Sequence, residues 1–111
     1  MIKVTSTETA KIYVAGTKIE VSSVVLRVGG TIEFTGKQLP TVVEVFENEE
    51  VFKTAPSNKM KIDGFDTFKT FDLSNGEEEE ETFKPQSLEV AHEEFKAYLE
   101  GLGFTAVVSG I

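Results

Sequence analysis

His92 is the only histidine in the chain, so any acid–base chemistry near neutral pH that relies on an imidazole must start from it. Nucleophilic catalysis needs a serine, threonine or cysteine beside such a base, and a third group that orients the base. The sequence has no cysteine, and no Gly-x-Ser-x-Gly motif marks a nucleophile. On a helical wheel His92 lies beside Ala91 and Phe95, and its local partners are Glu89 and Lys96. We therefore expect His92 to be a boundary residue of a packed helix, and the chain not to be an enzyme.

No cofactor or metal motif accompanies this histidine. Gly29-Gly30 lacks the flanking glycines or the Gly-Lys-Thr context of a phosphate-binding loop, and a lone histidine has no zinc-ligand spacing. Five consecutive acids supply oxygen ligands, but without the alternating pattern and central glycine of a calcium loop; they are Glu77, Glu78, Glu79, Glu80 and Glu81. We expect no cofactor and no metal, and we expect residues 74–82 to form an acidic mobile loop, because like charges repel.

Three of the nine phenylalanines recur at steps of three, namely Phe65, Phe68 and Phe71. This spacing is typical of a helix, whereas Asp63-Gly64 and the neighbouring threonines favour strand and turn, and both interpretations stay open at this point. Most phenylalanines belong to a core, but exposed aromatic side chains are good anchors for a protein partner. We therefore predict that partner contacts come from these three phenylalanines and from Glu77 to Glu81.

The elements that must position these residues are mostly strands. Alternating or β-branched segments predict strands at residues 2–4, 11–14, 18–21, 24–28, 31–35 and 41–46. The glycine-containing turn 15–17 joins two of them as a hairpin, and the order of the segments predicts an antiparallel meander. Residues 36–40 predict a break, and Val51-Phe52 predicts a short strand that pairs back after the acidic turn 47–50.

A helix is predicted at residues 87–100. Ser87 is a suitable N-cap, Glu100-Gly101 a suitable stop, and an apolar stripe lies between them; it consists of Leu88, Ala91, Phe95, Leu99 and Leu102. Residues 104–108 predict a final strand. The fold class is therefore α+β: mainly an antiparallel β-sheet or sandwich, with one helix in the C-terminal region followed by a last strand. With 111 residues, we expect a single domain over 1–111.

The charge distribution limits the kinds of partner. The net charge is −8, and it divides into +2 over residues 1–40 and −10 over residues 41–111. An acidic chain repels phosphate backbones, so we expect no direct binding to nucleic acid. No apolar run approaches the roughly 20 residues of a membrane-spanning helix, and the N-terminal residues do not resemble a signal peptide, so we expect no membrane partner.

Two segments carry a resemblance, residues 5–28 (TSTETAKIYVAGTKIEVSSVVLRV) and residues 78–108 (EEEETFKPQSLEVAHEEFKAYLEGLGFTAVV). With Gln86-Ser87-Leu88-Glu89 and Ala91-His92-Glu93 at the helix start, they resemble small uncharacterised proteins from the structural gene clusters of tailed bacteriophages. The resemblance covers the two ends of the chain, contains no catalytic motif and transfers no functional residue. It implies a virion component in the tail, head–tail connector or capsid decoration, made in the host bacterial cytoplasm. The implied partners are other virion proteins and further copies of the chain itself, as a homo-oligomer.

A second hypothesis rests on charge alone. The chain is then a free, acidic, host-directed binding protein, such as an inhibitor that mimics nucleic acid, with Glu77 to Glu81 in the place of phosphates. Replacing this run by a short Gly/Ser loop discriminates the two hypotheses, because phosphate mimicry needs the glutamates and assembly through strand edges does not.

Overall fold

A computed structural model describes residues 1–30, 38–73 and 88–109, and within these ranges it has eight strands and two helices. The strands are β1 (Ile2–Thr5), β2 (Ile12–Val14), β3 (Glu20–Val21), β4 (Ser23–Gly30), β5 (Gln38–Phe46), β6 (Ile62–Asp63), β7 (Phe68–Asp72) and β8 (Thr105–Val108). The helices are α1 (Glu49–Thr54) and α2 (Leu88–Leu102). The mainly antiparallel strands, and a helix near the C-terminus followed by a last strand, confirm the predicted α+β class.

The strands form a five-stranded sheet in the order β7-β5-β4-β1-β8 and a three-stranded sheet in the order β3-β2-β6. The predicted hairpin is confirmed, because β2 and β3 pair with Tyr13 opposite Glu20. The predicted meander is wrong. β1 pairs on one side with β4 and on the other with β8, from the far end of the chain, while the intervening hairpin joins β6 in the smaller sheet.

The core lies between α2 and one face of the five-stranded sheet. Alternation along each strand and the pairing registers place a set of buried apolar side chains on this face; they are Ile2, Val4, Val24, Leu26, Val28, Leu39, Val43, Val45 and Ala106. The helix α2 packs its four buried side chains against this set; they are Val90, Ala91, Phe95 and Leu99. The opposite face is called the outer face here, and it carries Lys3, Arg27, Val42, Glu44 and Val107.

α2 begins at Leu88 and continues to Leu102, beyond the predicted stop at Gly101. It ends at Gly103, whose φ of 102° favours glycine. The Gly103 N–H donates to the Glu100 carbonyl and the Phe104 N–H to the Leu99 carbonyl, a Schellman arrangement. The predicted cap Ser87 lies outside the described residues.

The two ends of the predicted apolar stripe do not face the core, because Leu88 and Leu102 are exposed. A helix of 15 residues is about 22 Å long. A strand of four residues such as β8 spans about 13 Å. α2 is therefore longer than β8, and Leu88 and Leu102 lie on its first and last turns.

Residues 49–54 form a short helix, so the prediction that Val51-Phe52 pairs as a strand is wrong. The Asn48 side chain accepts a hydrogen bond from the Val51 N–H at 2.9 Å and caps the first turn. α1 covers one end of the outer face, where the Phe52 ring meets the Phe46 ring edge-on at 5.3 Å.

Residues 60–73 follow the strand-and-turn interpretation rather than the helical one, since they contain β6 and β7. The predicted break at residues 36–40 ends earlier than expected, because β5 already begins at Gln38. Pro40 fits within β5 because it stands opposite Thr70 in a non-hydrogen-bonded pair, where β5 needs no N–H to bond β7. The predicted strand 31–35 and loop 74–82 lie outside the described residues. Neither helix of the described ranges is long and apolar enough to cross a membrane.

Gly64 brings the end of β6 close to the start of β2 within the smaller sheet. Its φ is 139°, and a Cβ added there would lie 2.6 Å from the Lys11 carbonyl oxygen. We therefore expect Gly64→Ala to lower the free energy of unfolding by about 1–3 kcal/mol, from strained backbone and the clash together. Urea denaturation followed by circular dichroism measures the change.

The matched control is Gly101→Ala, because an added Cβ at this helical position meets no atom within 4 Å. We expect the stability of this variant to be unchanged or raised by up to about 1 kcal/mol, since alanine favours helix over glycine. Equal stabilities of Gly64→Ala and the unsubstituted chain would contradict the close approach at Gly64.

Candidate functional site

The His92 ring bonds to backbone groups rather than to the expected Glu89 or Lys96. Its Nδ1 lies 2.6 Å from the Leu88 carbonyl oxygen, which only accepts, so Nδ1 donates. Its Nε2 then accepts from the Met1 amino group at 3.3 Å. The same amino group donates to the Ser109 carbonyl at 3.2 Å, and partial burial lowers the pKa of the Met1 amino group. His92 therefore ties α2 to the first residue of the sheet.

Within residues 1–30, 38–73 and 88–109, no group of three or more histidine, aspartate or glutamate side chains is placed to hold a metal ion. Glu77 to Glu81 lie outside these ranges, so their predicted role in partner binding stays a prediction.

The three predicted phenylalanine contacts separate into two kinds. Phe65 is buried, with its ring edge-on to Phe95 at 6.5 Å and to Phe104 at 5.6 Å. Phe71 is half-buried and meets Phe95 at 5.9 Å. Phe65 belongs to the core and Phe71 packs against it, and the role of both as partner contacts stays a prediction. Phe68 is 61% exposed and points to the outer face, so it is the one of the three that is placed to meet a partner.

Phe68 lies directly opposite Val42 in the β5–β7 ladder. The Val43 N–H donates to the Thr67 carbonyl, so the next pair, Val42 with Phe68, is a non-hydrogen-bonded pair with closely spaced side chains. Val42 is itself 49% exposed. The two side chains form an exposed apolar patch, called the Val42–Phe68 pair below.

Val42 was not predicted as a surface residue, and both of its neighbours in β5, Thr41 and Val43, are buried. Thr41 is fully buried, and its hydroxyl donates to the Leu39 carbonyl at 3.2 Å, which satisfies the polar group. The available signal was alternation: Leu39, Thr41 and Val43 share one face, which leaves Val42 on the other.

Hydrogen-bonded and non-hydrogen-bonded residue pairs alternate along the β5–β7 ladder, and this decides which backbone groups of β7 point outward. Val43 with Thr67 is a hydrogen-bonded pair, so the N–H and C=O groups of Phe68 and Thr70 point away from β5. No strand among the described residues pairs with them, so β7 is an edge strand there. Pro40 of β5 stands opposite Thr70, so the missing N–H of this proline costs no hydrogen bond to β7.

An ion triad stands between the Val42–Phe68 pair and the α1-covered end of the outer face. Arg27 donates to Glu44 through Nε at 2.7 Å, and Lys59 also contacts the Glu44 carboxylate. Lys59 and Arg27 hold the pKa of the Glu44 carboxyl below its usual range. The triad gives this part of the outer face a polar border.

The other edge of the five-stranded sheet is β8, which packs beside α2. The Ser109 N–H donates to the Met1 carbonyl, so by alternation the backbone groups of Ala106 and Val108 point away from β1. A groove of about 430 Å³ runs between this strand and α2. Its strand side is formed by Met1, Val108 and Ser109, at the end of the β1–β8 ladder. Its helix side is formed by Leu88, Glu89, His92, Glu93 and Lys96. This is the α2–β8 groove.

Comparisons with protein-family models, with curated proteins and with solved structures found no match for this chain.

The ion triad predicts a pH-dependent contribution to stability. Because the pKa of Glu44 is lowered in the folded state, its contribution is present above the ordinary glutamate pKa and is lost as the pH falls through the folded-state pKa. At neutral pH we expect Glu44→Gln to lower the free energy of unfolding by about 0.2–1 kcal/mol, the usual range for an exposed pair. At a pH below the folded-state pKa we expect this difference to vanish. Thermal denaturation across pH measures it.

Glu47→Gln is the control, because it makes the same charge change at an exposed position with no ion pair among the described residues. A Glu44→Gln effect that is constant with pH would contradict the role of the triad.

Proposed function

We propose that this chain is a structural assembly protein of a tailed-phage virion, in the tail, head–tail connector or capsid decoration. It works in multiple copies and joins its neighbours through protein–protein contacts at the β7 edge of its larger sheet. The observation that carries the proposal is the exposed Val42–Phe68 pair beside an edge strand whose backbone groups at Phe68 and Thr70 point outward.

An edge of this kind supplies both parts of a sheet-extending interface. Outward N–H and C=O groups form a ladder with a neighbouring strand, and an exposed aromatic side chain supplies an anchor that loses contact with water. Two copies related by a two-fold axis present the same edge to each other in antiparallel orientation, which suits such a ladder.

Of the two charged residues of β7, Asp72 shares the outer face with Phe68 and Thr70 by alternation, at the end of the strand, and Lys69 does not. Lys69 points to the opposite face, where its ammonium lies 4.7 Å from the centre of the Tyr98 ring. Natural edge strands commonly use an outward lysine to prevent pairing, and here the lysine is directed elsewhere. The outer side of β7 at Phe68 and Thr70 therefore combines an apolar and a small polar side chain.

The virion assignment is supported by the resemblance of residues 5–28 and 78–108 to small proteins of phage structural gene clusters. A net charge of −8 also suits a subunit that must stay dispersed before it assembles. The proposed location is accordingly the virion, after synthesis in the host bacterial cytoplasm. The alternative, a free acidic inhibitor of a host protein, depends on Glu77 to Glu81, and no contact among the described residues favours it.

Substitution of the exposed aromatic residue tests the proposed contact. We expect the chain to self-associate as its concentration rises toward the millimolar range, and Phe68→Ser to weaken this self-association roughly tenfold or more, as loss of a central anchor does. Thr70→Pro should weaken it as well, because proline removes an outward N–H without breaking a bond to β5. Sedimentation velocity over a range of concentrations measures the mass.

Ile19→Ser is the matched control, since Ile19 is 63% exposed but lies between β2 and β3 of the smaller sheet. It should leave the self-association unchanged. A sharp monomer at millimolar concentration, or equal weakening by Ile19→Ser and Phe68→Ser, would overturn the proposed contact.

Mass spectrometry of purified particles tests the virion assignment separately. In a phage whose genome encodes this chain, we expect the chain in the particles at a copy number comparable to that of a structural protein. Its absence from intact particles would overturn the assignment even if the chain self-associates.

A further inference from the structure

The α2–β8 groove lies beside an edge strand and carries two exposed apolar side chains, Leu88 and Val108. On the strand side, the N–H and C=O groups of Ala106 and Val108 point away from β1, and no described strand pairs with them. β8 itself contains no charged residue and no proline. It therefore lacks two of the usual devices by which edge strands avoid a further strand, an edge charge and an edge proline.

The groove also has room for side chains. An added strand directs alternate side chains toward the face on which α2 packs. There, Leu88 is 57% exposed and Val108 is 41% exposed, so both offer apolar surface that no described residue covers. The groove volume of about 430 Å³ lies within the range of small ligand pockets. A segment with apolar residues at alternate positions fits this arrangement.

Charge decides what kind of segment fits. Glu89 and Glu93 stand on the groove side of α2, and no cation among the described residues pairs with either. Lys96 is already 3.6 Å from Glu100, and the Met1 amino group is held by Ser109 and His92. When Lys96 is taken as balanced by Glu100 and the Met1 amino group is counted as one cation, Glu89 and Glu93 leave the groove with a net charge of −1. A lysine or arginine on the added segment finds a free carboxylate here.

The same charges disfavour a second copy of the chain in this groove. A two-fold pairing of β8 with β8 would continue the sheet and bring two α2 helices together on one face, with their Glu89 and Glu93 side chains toward each other. Like charges across an interface weaken association.

We infer that the α2–β8 groove binds an extended basic segment of another protein, with apolar residues at alternate positions and lysine or arginine between them, which adds to β8 as a further strand. This mode of recognition uses the strand backbone for affinity and the groove for specificity. The inference rests on the proposed function only in assigning the segment to a neighbouring virion protein.

A labelled peptide tests the inference on the full chain. The probe is a short fluorescein-labelled peptide of alternating valine and lysine, and the comparison peptide has glutamate in place of lysine. We expect saturable binding of the lysine peptide by fluorescence anisotropy, weaker binding at high salt, and no binding of the glutamate peptide. In NMR spectra the amide signals of Ala106 and Val108 should shift on binding.

Two pairs of variants locate the site. Val108→Pro removes an outward N–H without breaking the ladder to β1, and should weaken peptide binding at least roughly tenfold; Thr70→Pro makes the same change at the β7 edge and should leave peptide binding unchanged. The double variant Glu89→Gln and Glu93→Gln should weaken binding and reduce its salt dependence. The double variant Glu47→Gln and Glu50→Gln, which removes the same charge near α1, should not. If Val108→Pro fails to fold, the glutamine variants and the shifts of the amide signals still show whether the peptide binds in the α2–β8 groove.

The outcomes separate this inference from the proposed function. No binding of the lysine peptide, equal binding of the glutamate peptide, or equal loss with Thr70→Pro overturns the inference, whether or not the chain self-associates. Self-association that is lost with Val108→Pro and kept with Thr70→Pro would show that a second copy occupies the groove, and this also overturns it. Peptide binding by a chain that stays monomeric supports the inference and contradicts the proposed self-association.

Discussion

The structure depends on the burial of one aromatic side chain, Phe95, in the middle of α2. Its ring has no exposed surface and makes edge-on contacts with Phe65, Phe71 and Tyr98 at 5.4–6.5 Å. These rings come from the segment between β6 and β7, from β7 itself and from the next turn of α2. Because edge-on rings attract one another in addition to the area that they bury, Phe95 holds the helix to parts of the sheet that are distant in sequence.

This central contact explains why the two edges of the larger sheet differ. Phe71 turns toward Phe95, so alternation turns Phe68 outward beside Val42, and the β7 edge becomes apolar on the outer face. At the other edge, exposed apolar surface of Leu88 and Val108 lies between α2 and β8 and is bordered by the carboxylates of Glu89 and Glu93. This difference is why we propose a copy of the same chain at one edge and a basic partner at the other.

Local patterns account for the parts of the fold that were predicted from the sequence. The β2–β3 hairpin needs only two alternating runs and a glycine turn, and α2 needs only a periodic apolar stripe. Val51 and Phe52 were misassigned because two apolar residues have no period, and the helical cap on Asn48 outweighed their strand preference. Gly101 was a plausible helix stop, but only Gly103 adopts the backbone conformation that ends α2. The sequence gives no difference between the three evenly spaced phenylalanines at the candidate site, Phe65, Phe68 and Phe71. Only the packing of the folded chain shows that Phe68 is exposed while the other two lie in or against the core.

By itself the sequence determined the α+β class, the position of the main helix, the last strand and the acidic charge, because each is a property of residues close together in the chain. The tertiary structure alone decided that β1 lies between β4 and β8, that Val42 and Phe68 stand opposite each other, and that Leu88 faces Val108 across a groove. These are contacts between distant segments. They follow from how the sheet and α2 bury Phe95 and its neighbours together, and no local pattern carries that information.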